Sequence, residues 1–180
     1  DVIVCQALEL KFLAFTFDGT NLTLEHQQDI GYVTDMLAVP GTGPSGGDGL
    51  YVAMSHGHVV RLELQQPGVG TNNYELVCVA CSPYTNGTPG DLALVTTPGG
   101  DKRICSNTLV AGADQNSTPQ TFDPGADSVY TLWSFDTALV KKAMMPTLDS
   151  SIKLHQVPNT DEVYVLEKSK LYRYVIDGPG

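Results

Sequence analysis

A pattern of strand, loop, strand, tight turn and strand occurs twice in this chain, and it limits the possible folds more than any other feature. The first copy covers Leu37–Pro40, a glycine-rich loop and Leu50–Glu63. The second covers Leu154–Pro158, a short loop and Val163–Val175. Both copies read as small antiparallel meanders, because apolar and polar residues alternate within short segments bounded by turn residues.

The two copies also agree at individual positions. Tyr-Val opens the middle strand of each copy, at Tyr51 and Tyr164, and an arginine lies inside each last strand, at Arg61 and Arg173. The two tyrosines are 113 residues apart, which leaves room for one further copy at a step of about 56 residues. A third, less regular copy is predicted between residues 74 and 136, around a long polar loop.

A single meander cannot bury both of its faces, so we expect the copies to stack face to face. Stacked antiparallel sheets are typical of a β-propeller. The predicted fold is therefore all-β, with antiparallel four-stranded blades of a β-propeller; a β-sandwich or jelly roll is the alternative. The predicted strands are Val2–Leu8, Phe12–Phe17, Thr23–His26, Thr34–Val39, Leu50–Ser55, Val59–Leu64, Leu76–Ala80, Ala93–Thr97, Arg103–Ser106, Ser128–Phe135, Ile152–Gln156, Glu162–Leu166 and Leu171–Ile176.

The domain organisation follows from this strand pattern. Residues 1–180 read as a single β-rich domain or as a fragment of a larger propeller, with approximate blades at 1–20 (partial), 21–68, 74–137 and 138–180. Only two strands precede the first full copy, whereas the last copy is complete, so the predicted propeller is incomplete. Uncovered edges and blade faces are unfavourable. We therefore expect pairing with further segments of a larger propeller or with another copy of the chain.

Two segments resemble known propeller families. Val129–Val140 resembles the segment that leads from the outer strand to the next blade in WD-repeat propellers. Val33–Ala38 together with Leu50–Val60 resembles a blade of the sema propellers found in plexins and semaphorins. The Trp-Asp dipeptide of WD repeats is absent. Both families are recognition scaffolds, so the resemblance implies a binding function and brings no catalytic residues.

The charge of the chain argues against two classes of partner. It has 20 acidic and 10 basic residues, a formal net charge of −10, and no cluster of Lys or Arg. Binding to nucleic acid through phosphate neutralisation is therefore disfavoured. No apolar run approaches the roughly 20 residues that cross a bilayer, so no membrane span within this chain is predicted. The first residue is Asp1, which fits either a removed signal peptide or an excised fragment.

Sequons and cysteines predict the compartment. Asn21, Asn86 and Asn116 each begin an N-x-S/T sequence beside turn-forming residues, which predicts N-glycosylation. The chain has an even number of cysteines, which allows two disulfides: Cys5, Cys78, Cys81 and Cys105. Cys105 is expected to pair with Cys78 or Cys81, because these three lie in one stretch. Zinc bound by the C-x-x-C pair with His56 and His58, and free buried thiols, are the alternatives. Together these signals predict a secreted or cell-surface protein.

Catalytic motifs are not found. The chain contains no G-x-S-x-G, no phosphate-binding G-x-x-x-x-G-K-S/T and no H-E-x-x-H sequence. The His56-Gly-His58 segment reads as a polar turn rather than a metal site. The segment 123–127, with Asp114 nearby, reads as a solvated acidic loop rather than a calcium site. We therefore predict no enzyme activity, no metal and no cofactor.

The predicted function is a binding one. We expect an extracellular glycoprotein module for protein interaction, adhesion or structural assembly, whose partner is another protein or further copies of itself, with a glycan as a possible ligand. Long loops between strands would supply a binding face. The alternative is a secreted carbohydrate-binding or glycosidase-like propeller, which needs two carboxylates about 5 to 10 Å apart in one cleft.

Overall fold

The chain folds into strands throughout the part that a computed structural model describes, which comprises residues 2–7, 11–29, 31–43, 46–65, 75–85, 87–111, 131–146, 151–167 and 170–176. The all-β prediction is confirmed. The strands are β1 Val2–Ala7, β2 Lys11–Phe17, β3 Leu22–Asp29, β4 Val33–Val39, β5 Gly49–Met54, β6 His58–Gln65, β7 Glu75–Cys81, β8 Gly87–Thr96, β9 Lys102–Ala111, β10 Thr131–Phe135, β11 Lys141–Pro146, β12 Ser151–Gln156, β13 Glu162–Glu167 and β14 Lys170–Val175.

These strands form four antiparallel sheets, and each sheet is a meander of consecutive strands. Sheet 1 contains β1–β3, sheet 2 contains β4–β7, sheet 3 contains β8–β11 and sheet 4 contains β12–β14. β3 pairs with β2 and so belongs to sheet 1, although its residues fall in the second predicted blade, 21–68. In the same way β11 pairs with β10 and belongs to sheet 3, not to the last unit. The tight turns before β3 and β11 return the chain beside the strand that it has just left.

The sheets stack face to face, and three apolar cores lie between successive sheets. Side chains on both faces of β5 are buried, as expected for a strand that is covered by a sheet on each side. The core between sheets 1 and 2 contains Phe12, Val52, Met54, Leu62 and Leu76. The core between sheets 2 and 3 contains Val39, Tyr51, Ala53, Val59, Leu92, Ile104, Trp133, Phe135 and Leu139. The core between sheets 3 and 4 contains Ala93, Val95, Cys105, Leu132, Leu154, Val163, Val165 and Ile176.

The stack has an inner and an outer edge. β8 packs against β4 on one side and β12 on the other, so the first strands of sheets 2, 3 and 4 lie together along the inner edge. β3 contacts β7 near the outer edge. No core among the described residues joins sheet 1 to sheet 4, so the four sheets form an open stack and no closed ring is seen. In the same part of the chain, no helix is long and apolar enough to cross a membrane.

Candidate functional site: sheet contacts and the two terminal faces

Carboxylates on the innermost strands tie neighbouring sheets together. Asp35 on β4 accepts a hydrogen bond from the backbone N–H of Leu92 on β8 at 2.7 Å. One sheet further on, Asp91 on β8 accepts a hydrogen bond from the N–H of Leu154 on β12, also at 2.7 Å. Its other carboxylate oxygen is 3.1 Å from Lys153 Nζ. Both carboxylates therefore satisfy a backbone donor of the following sheet with a charge-assisted bond.

A tyrosine and an arginine hold the turn of the next sheet. Tyr51 and Arg61 are direct partners in the β5–β6 register. The buried Tyr51 hydroxyl donates to the Thr137 carbonyl oxygen at 2.6 Å, and Arg61 Nη1 donates to the same oxygen at 3.2 Å. Glu63 accepts from Arg61 Nη2 at 3.0 Å. Sheet 2 therefore contacts sheet 3 through two donors that converge on one turn carbonyl.

The turn that receives these donors is held by an aspartate. Asp136 follows the last residue of β10, and its Oδ1 accepts the backbone N–H groups of Ala138 and Val140, each at 2.9 Å. Lys142 Nζ lies 3.0 Å from its Oδ2. Partial burial raises the pKa of Asp136, but the hydrogen bonds from Lys142 and the two backbone groups outweigh burial, so the pKa lies below its usual value. The carboxylate thus holds the Thr137 carbonyl in place.

Sheet 1 contains a shorter turn that is also held by an aspartate. Asp18 follows Phe17 at the end of β2, just as Asp136 follows Phe135 at the end of β10. Asp18 Oδ1 accepts the backbone N–H groups of Thr20 and Asn21, each at 2.8 Å. These bonds, with that of Asn21 the larger, lower the pKa of Asp18. The Asp18 turn closes at Asn21, one residue sooner than the Asp136 turn closes at Val140, and its positive φ is at Gly19, so the Gly19 carbonyl is not equivalent to that of Thr137.

One face of sheet 4 has no sheet packed against it among the described residues. Val163 and Val165 on β13 point into the core with sheet 3, so Tyr164 between them lies on the opposite face. Arg173 is its direct register partner on β14 and shares that face. We call this surface the terminal face of sheet 4; its members are Tyr164, Leu166, Leu171, Arg173 and Val175.

The opposite end of the stack presents a second such surface. Phe12 and Ala14 of β2 are buried on the side of sheet 2, so the alternate residues of β2 lie on the other face. The register places Leu24 opposite Phe15 and Leu22 opposite Phe17 on this face. We call it the terminal face of sheet 1; its members are Leu13, Phe15, Phe17, Leu22 and Leu24.

The cysteines do not form the predicted disulfide. Cys78, Cys81 and Cys105 are free thiols, and the side chain of Cys5 lies outside the described residues. Cys105 is buried in the core between sheets 3 and 4, whereas the other two lie on β7, the outer strand of sheet 2. The register makes Val79 an extra, unpaired residue of β7. This bulge turns Cys78 and Cys81 to the same face.

The thiols are expected to differ in reactivity. In a Cys5→Ser background, two thiols should react quickly with an aromatic disulfide reagent in the folded protein, and the third only after unfolding. The thiolate is the reactive form, Cys78 and Cys81 are exposed, and burial raises the pKa of Cys105 to about 12. Partial burial, and then the neighbouring Cys78, raise the pKa of Cys81, which should be the slower of the two. A third fast thiol that Cys105→Ser removes would contradict this assignment.

The two histidines lie at the turn between β5 and β6. The rings of His56 and His58 are 5.5 Å apart, and His58 is 5.9 Å from the ring of Tyr84. His58 Nδ1 is 2.9 Å from the Ser82 carbonyl oxygen, so the turn is tied to the segment that follows β7. Within the described ranges, no group of three or more His, Cys, Asp or Glu side chains is arranged to hold a metal ion.

Gly57 is needed at the centre of this turn. Its φ is +98°, and a Cβ there would lie 2.1 Å from a ring carbon of Tyr84. We expect Gly57→Ala to lower the free energy of unfolding by about 2 kcal/mol, from backbone strain and displacement of the ring. Gly100→Ala is the matched control, since its φ is +86° and nothing lies within 4 Å of the added methyl. Urea titration of both variants checks this, and equal losses would show that the ring contact has no effect.

The structure describes only some of the remaining predicted site residues. Asn21 is exposed in the Asp18 turn, where a glycosyltransferase could reach it. Asn86 and Asn116, and the acidic loop with Asp114 and residues 123–127, lie outside the described residues. The contacts of Asp35, Asp91 and Thr137 were not predicted. One signal was available, since Asp35 and Asp91 are 56 residues apart, the step predicted for the repeat.

Comparisons with known proteins identify solved structures of similar fold but no family. No family model matches the sequence, and no curated protein matches it. A functionally unknown protein from Desulfotomaculum acetoxidans has a TM-score of 0.63 at 14% identity, over 99% of this chain and 48% of that one. Sqt1 from Chaetomium thermophilum has a TM-score of 0.57 at 13% identity, over 92% of this chain and 36% of that one. The chain therefore spans less than half the length of either structure, and at such identities the likeness concerns the fold alone.

Proposed function

We propose that this chain is an extracellular glycoprotein module for protein interaction, adhesion or structural assembly, with its sheets acting as consecutive blades of a β-propeller. The observation that carries the proposal is the pair of terminal faces. Each contains an apolar side chain, Leu171 or Phe17, whose counterpart is buried where sheet 2 meets sheet 3. The partner that fits such a face is another antiparallel sheet with an apolar surface.

The counterparts can be assigned by register. Val59 lies opposite Ala53, two positions from the Tyr51–Arg61 pair, and Leu171 lies opposite Leu166, two positions from the Tyr164–Arg173 pair. Val59 is fully buried, whereas Leu171 is 65% exposed. At the other end, Phe135 is fully buried and Phe17 is 37% exposed. Removing such apolar area from water is favourable by about 25 cal/mol per Å², so both faces gain stability from a partner sheet.

The extracellular and glycoprotein parts of the proposal rest on other residues. Asn21, at the start of a sequon, is exposed in a turn of sheet 1. The blade interpretation is supported by the successive packing of β4, β8 and β12 along one edge of the stack. The carbohydrate-active alternative needs two convergent carboxylates. Asp35 and Asp91 instead accept backbone N–H groups, so no observation favours that alternative.

The binding role of the faces can be tested with the isolated chain. Leu171→Lys and Phe17→Lys should each reduce the fluorescence of a bound apolar dye, and the double variant should reduce it further. Leu171→Lys should change the free energy of unfolding by less than about 1 kcal/mol, because the side chain is 65% exposed, whereas Phe17→Lys should cost more, because the ring is 37% exposed. Met144→Lys, at a 48% exposed position outside both faces, is the control. If Leu171→Lys and Phe17→Lys leave the dye signal unchanged, the proposed faces are not apolar binding surfaces.

The compartment is tested separately. When the chain is directed into the secretory pathway of a eukaryotic cell, we expect a glycan on Asn21, detected as a mass that Asn21→Gln removes. The Asn21 side chain is exposed in the folded state, so the glycosyltransferase can reach it after the chain has folded. Retention of an unglycosylated chain would contradict the extracellular part of the proposal and leave the dye experiment unaffected.

A further inference from the structure

We propose that the turn between β5 and β6 binds one zinc ion through an imidazole nitrogen of His56 and one of His58. Two imidazoles supply two of the four positions that Zn²⁺ prefers, and water molecules take the other two. The C-x-x-C pair on β7 is not part of this site. The site lies outside both terminal faces and is independent of the proposed function.

The two histidines come together because the turn is short. Met54 and His58 form the last pair of the β5–β6 ladder, so only three residues connect the strands. The third of them, Gly57, has a φ of +98°, as in hairpin loops of three residues that end in a left-handed glycine. Its backbone N–H donates to the Met54 carbonyl oxygen at 3.0 Å and closes the turn. His56 and His58 therefore flank the glycine, and their ring centroids are 5.5 Å apart.

The separation of the two rings fits two bonds to one zinc ion. A Zn–N bond of about 2.0–2.1 Å places the ion about 3.2 Å from the centroid of each imidazole that binds it. Two centroids 5.5 Å apart then correspond to an N–Zn–N angle of roughly 115°, close to the tetrahedral value. A tetragonal copper(II) site, with an angle near 90°, would bring the centroids to about 4.5 Å. The ring separation therefore favours zinc.

The His58 ring is already oriented as a metal ligand. Its Nδ1 is 2.9 Å from the Ser82 carbonyl oxygen, and because a carbonyl oxygen can only accept, Nδ1 carries the hydrogen. In the neutral imidazole the lone pair is then on Nε2. A hydrogen bond from the second ring nitrogen to a backbone carbonyl is the usual support of a metal-bound histidine, since it fixes the ring and its tautomer. The Tyr84 ring, edge-on at 5.9 Å, packs beside the same imidazole.

The segment that follows β7 holds the turn in place. Thr85 donates twice to the Gly57 carbonyl oxygen, from its backbone N–H at 2.9 Å and from Oγ1 at 3.0 Å. Ser82 Oγ accepts the backbone N–H of Val59 at 2.9 Å. The turn is therefore fixed before an ion binds, so less conformational entropy is lost on binding. His56 is exposed, and an ion can reach the site from solvent.

Two protein ligands give a site of moderate affinity. Among the described residues, no third His, Cys, Asp or Glu side chain completes the ligand set. Zinc sites with four protein ligands bind far more tightly, and for two imidazoles we expect a Kd on the order of 10 μM. The net charge of −10 favours the approach of a cation.

Calorimetric titration with zinc chloride tests the site. Exposed thiols also bind zinc, so the titration uses a chain in which Cys5, Cys78 and Cys81 are replaced by serine. Near neutral pH this chain should bind one ion with a Kd on the order of 10 μM. If the unmodified chain binds zinc and the thiol-substituted chain does not, the cysteines hold the ion and the proposal is overturned. Absence of zinc binding in both chains overturns it as well.

Single substitutions in the thiol-substituted chain identify the ligands. His56→Gln and His58→Gln should each weaken zinc binding about tenfold or more, since even the loss of a residue that only orients a ligand costs that much. His155→Gln, which removes an exposed histidine on β12, should leave the affinity unchanged. Circular dichroism and urea titration establish that each variant is folded, and the exposed His56 decides if His58→Gln disturbs the turn. Unchanged zinc affinity in His56→Gln, or an equal loss in His155→Gln, overturns the assignment.

Discussion

Phe135→Ala is expected to lower the free energy of unfolding by about 4 kcal/mol, within the range for aromatic truncation in a packed core. Phe135 is fully buried between sheets 2 and 3, and its ring stacks on that of Trp133 with centroids 6.0 Å apart. Removing the ring loses its transfer free energy and leaves a cavity. The surrounding strands cannot close this cavity without moving two hydrogen-bonded sheets.

Phe17→Ala is the matched control, because Phe17 occupies the equivalent position before the Asp18 turn and is 37% exposed. Measured at dilute concentration, its loss should be smaller, about 2 kcal/mol, because 37% of the side chain is exposed and less packing is lost. Urea unfolding followed by fluorescence and by circular dichroism gives both values. Similar losses for the two variants would show that sheet 1 is already covered in the monomer.

Asp91→Ala is expected to lower the free energy of unfolding by about 3 kcal/mol. Asp91 accepts the backbone N–H of the buried Leu154 at 2.7 Å and pairs with Lys153. Its removal leaves a buried donor without a partner, which costs about 1–3 kcal/mol, and also removes a charge-assisted bond. The loss should appear first where sheet 4 meets sheet 3, as faster hydrogen exchange in β12.

Lys153→Ala separates the two contacts of this carboxylate. The lysine is exposed, so its ion pair with Asp91 should contribute less than about 1 kcal/mol. The hydrogen bond from Leu154 remains in this variant, and the exchange of β12 should stay slow. If Lys153→Ala were as destabilising as Asp91→Ala, the ion pair and not the backbone bond would be what joins the sheets.

Local patterning was sufficient to predict many of the strands. The predicted segments Leu50–Ser55 and Val59–Leu64 correspond to Gly49–Met54 and His58–Gln65 in the structure. The predicted Leu171–Ile176 corresponds to Lys170–Val175. Alternation of apolar and polar residues is a property of neighbouring positions, so a short segment contains it. Tyr-Val and Arg could be recognised as repeated for the same reason.

The assignment of strands to sheets was less predictable. The segment Thr23–His26, within β3, was placed in the second predicted blade, and no strand was predicted at β11, whose residues fall in the last one, yet each of these strands hydrogen-bonds to the strand before it. Pairing depends on the turn geometry and on which faces are buried by neighbouring sheets, and neither is visible in the alternation of a single strand. The predicted pairing of Cys105 failed for a similar reason, because closeness in sequence does not place β9 beside the outer strand β7.

The features of the candidate site also divide into those that the sequence predicted and those that only the structure identified. By itself the sequence determined most of the strands and the repeated Tyr-Val and Arg positions, although β11 was not predicted. Only the tertiary structure decided that Phe135 is buried and Phe17 exposed, and that Tyr51 meets a carbonyl while Tyr164 faces outward. Local propensity sets the shape of each sheet, but burial is a property of two sheets in contact. The open faces of this protein therefore follow from the stacking order and not from any residue in them.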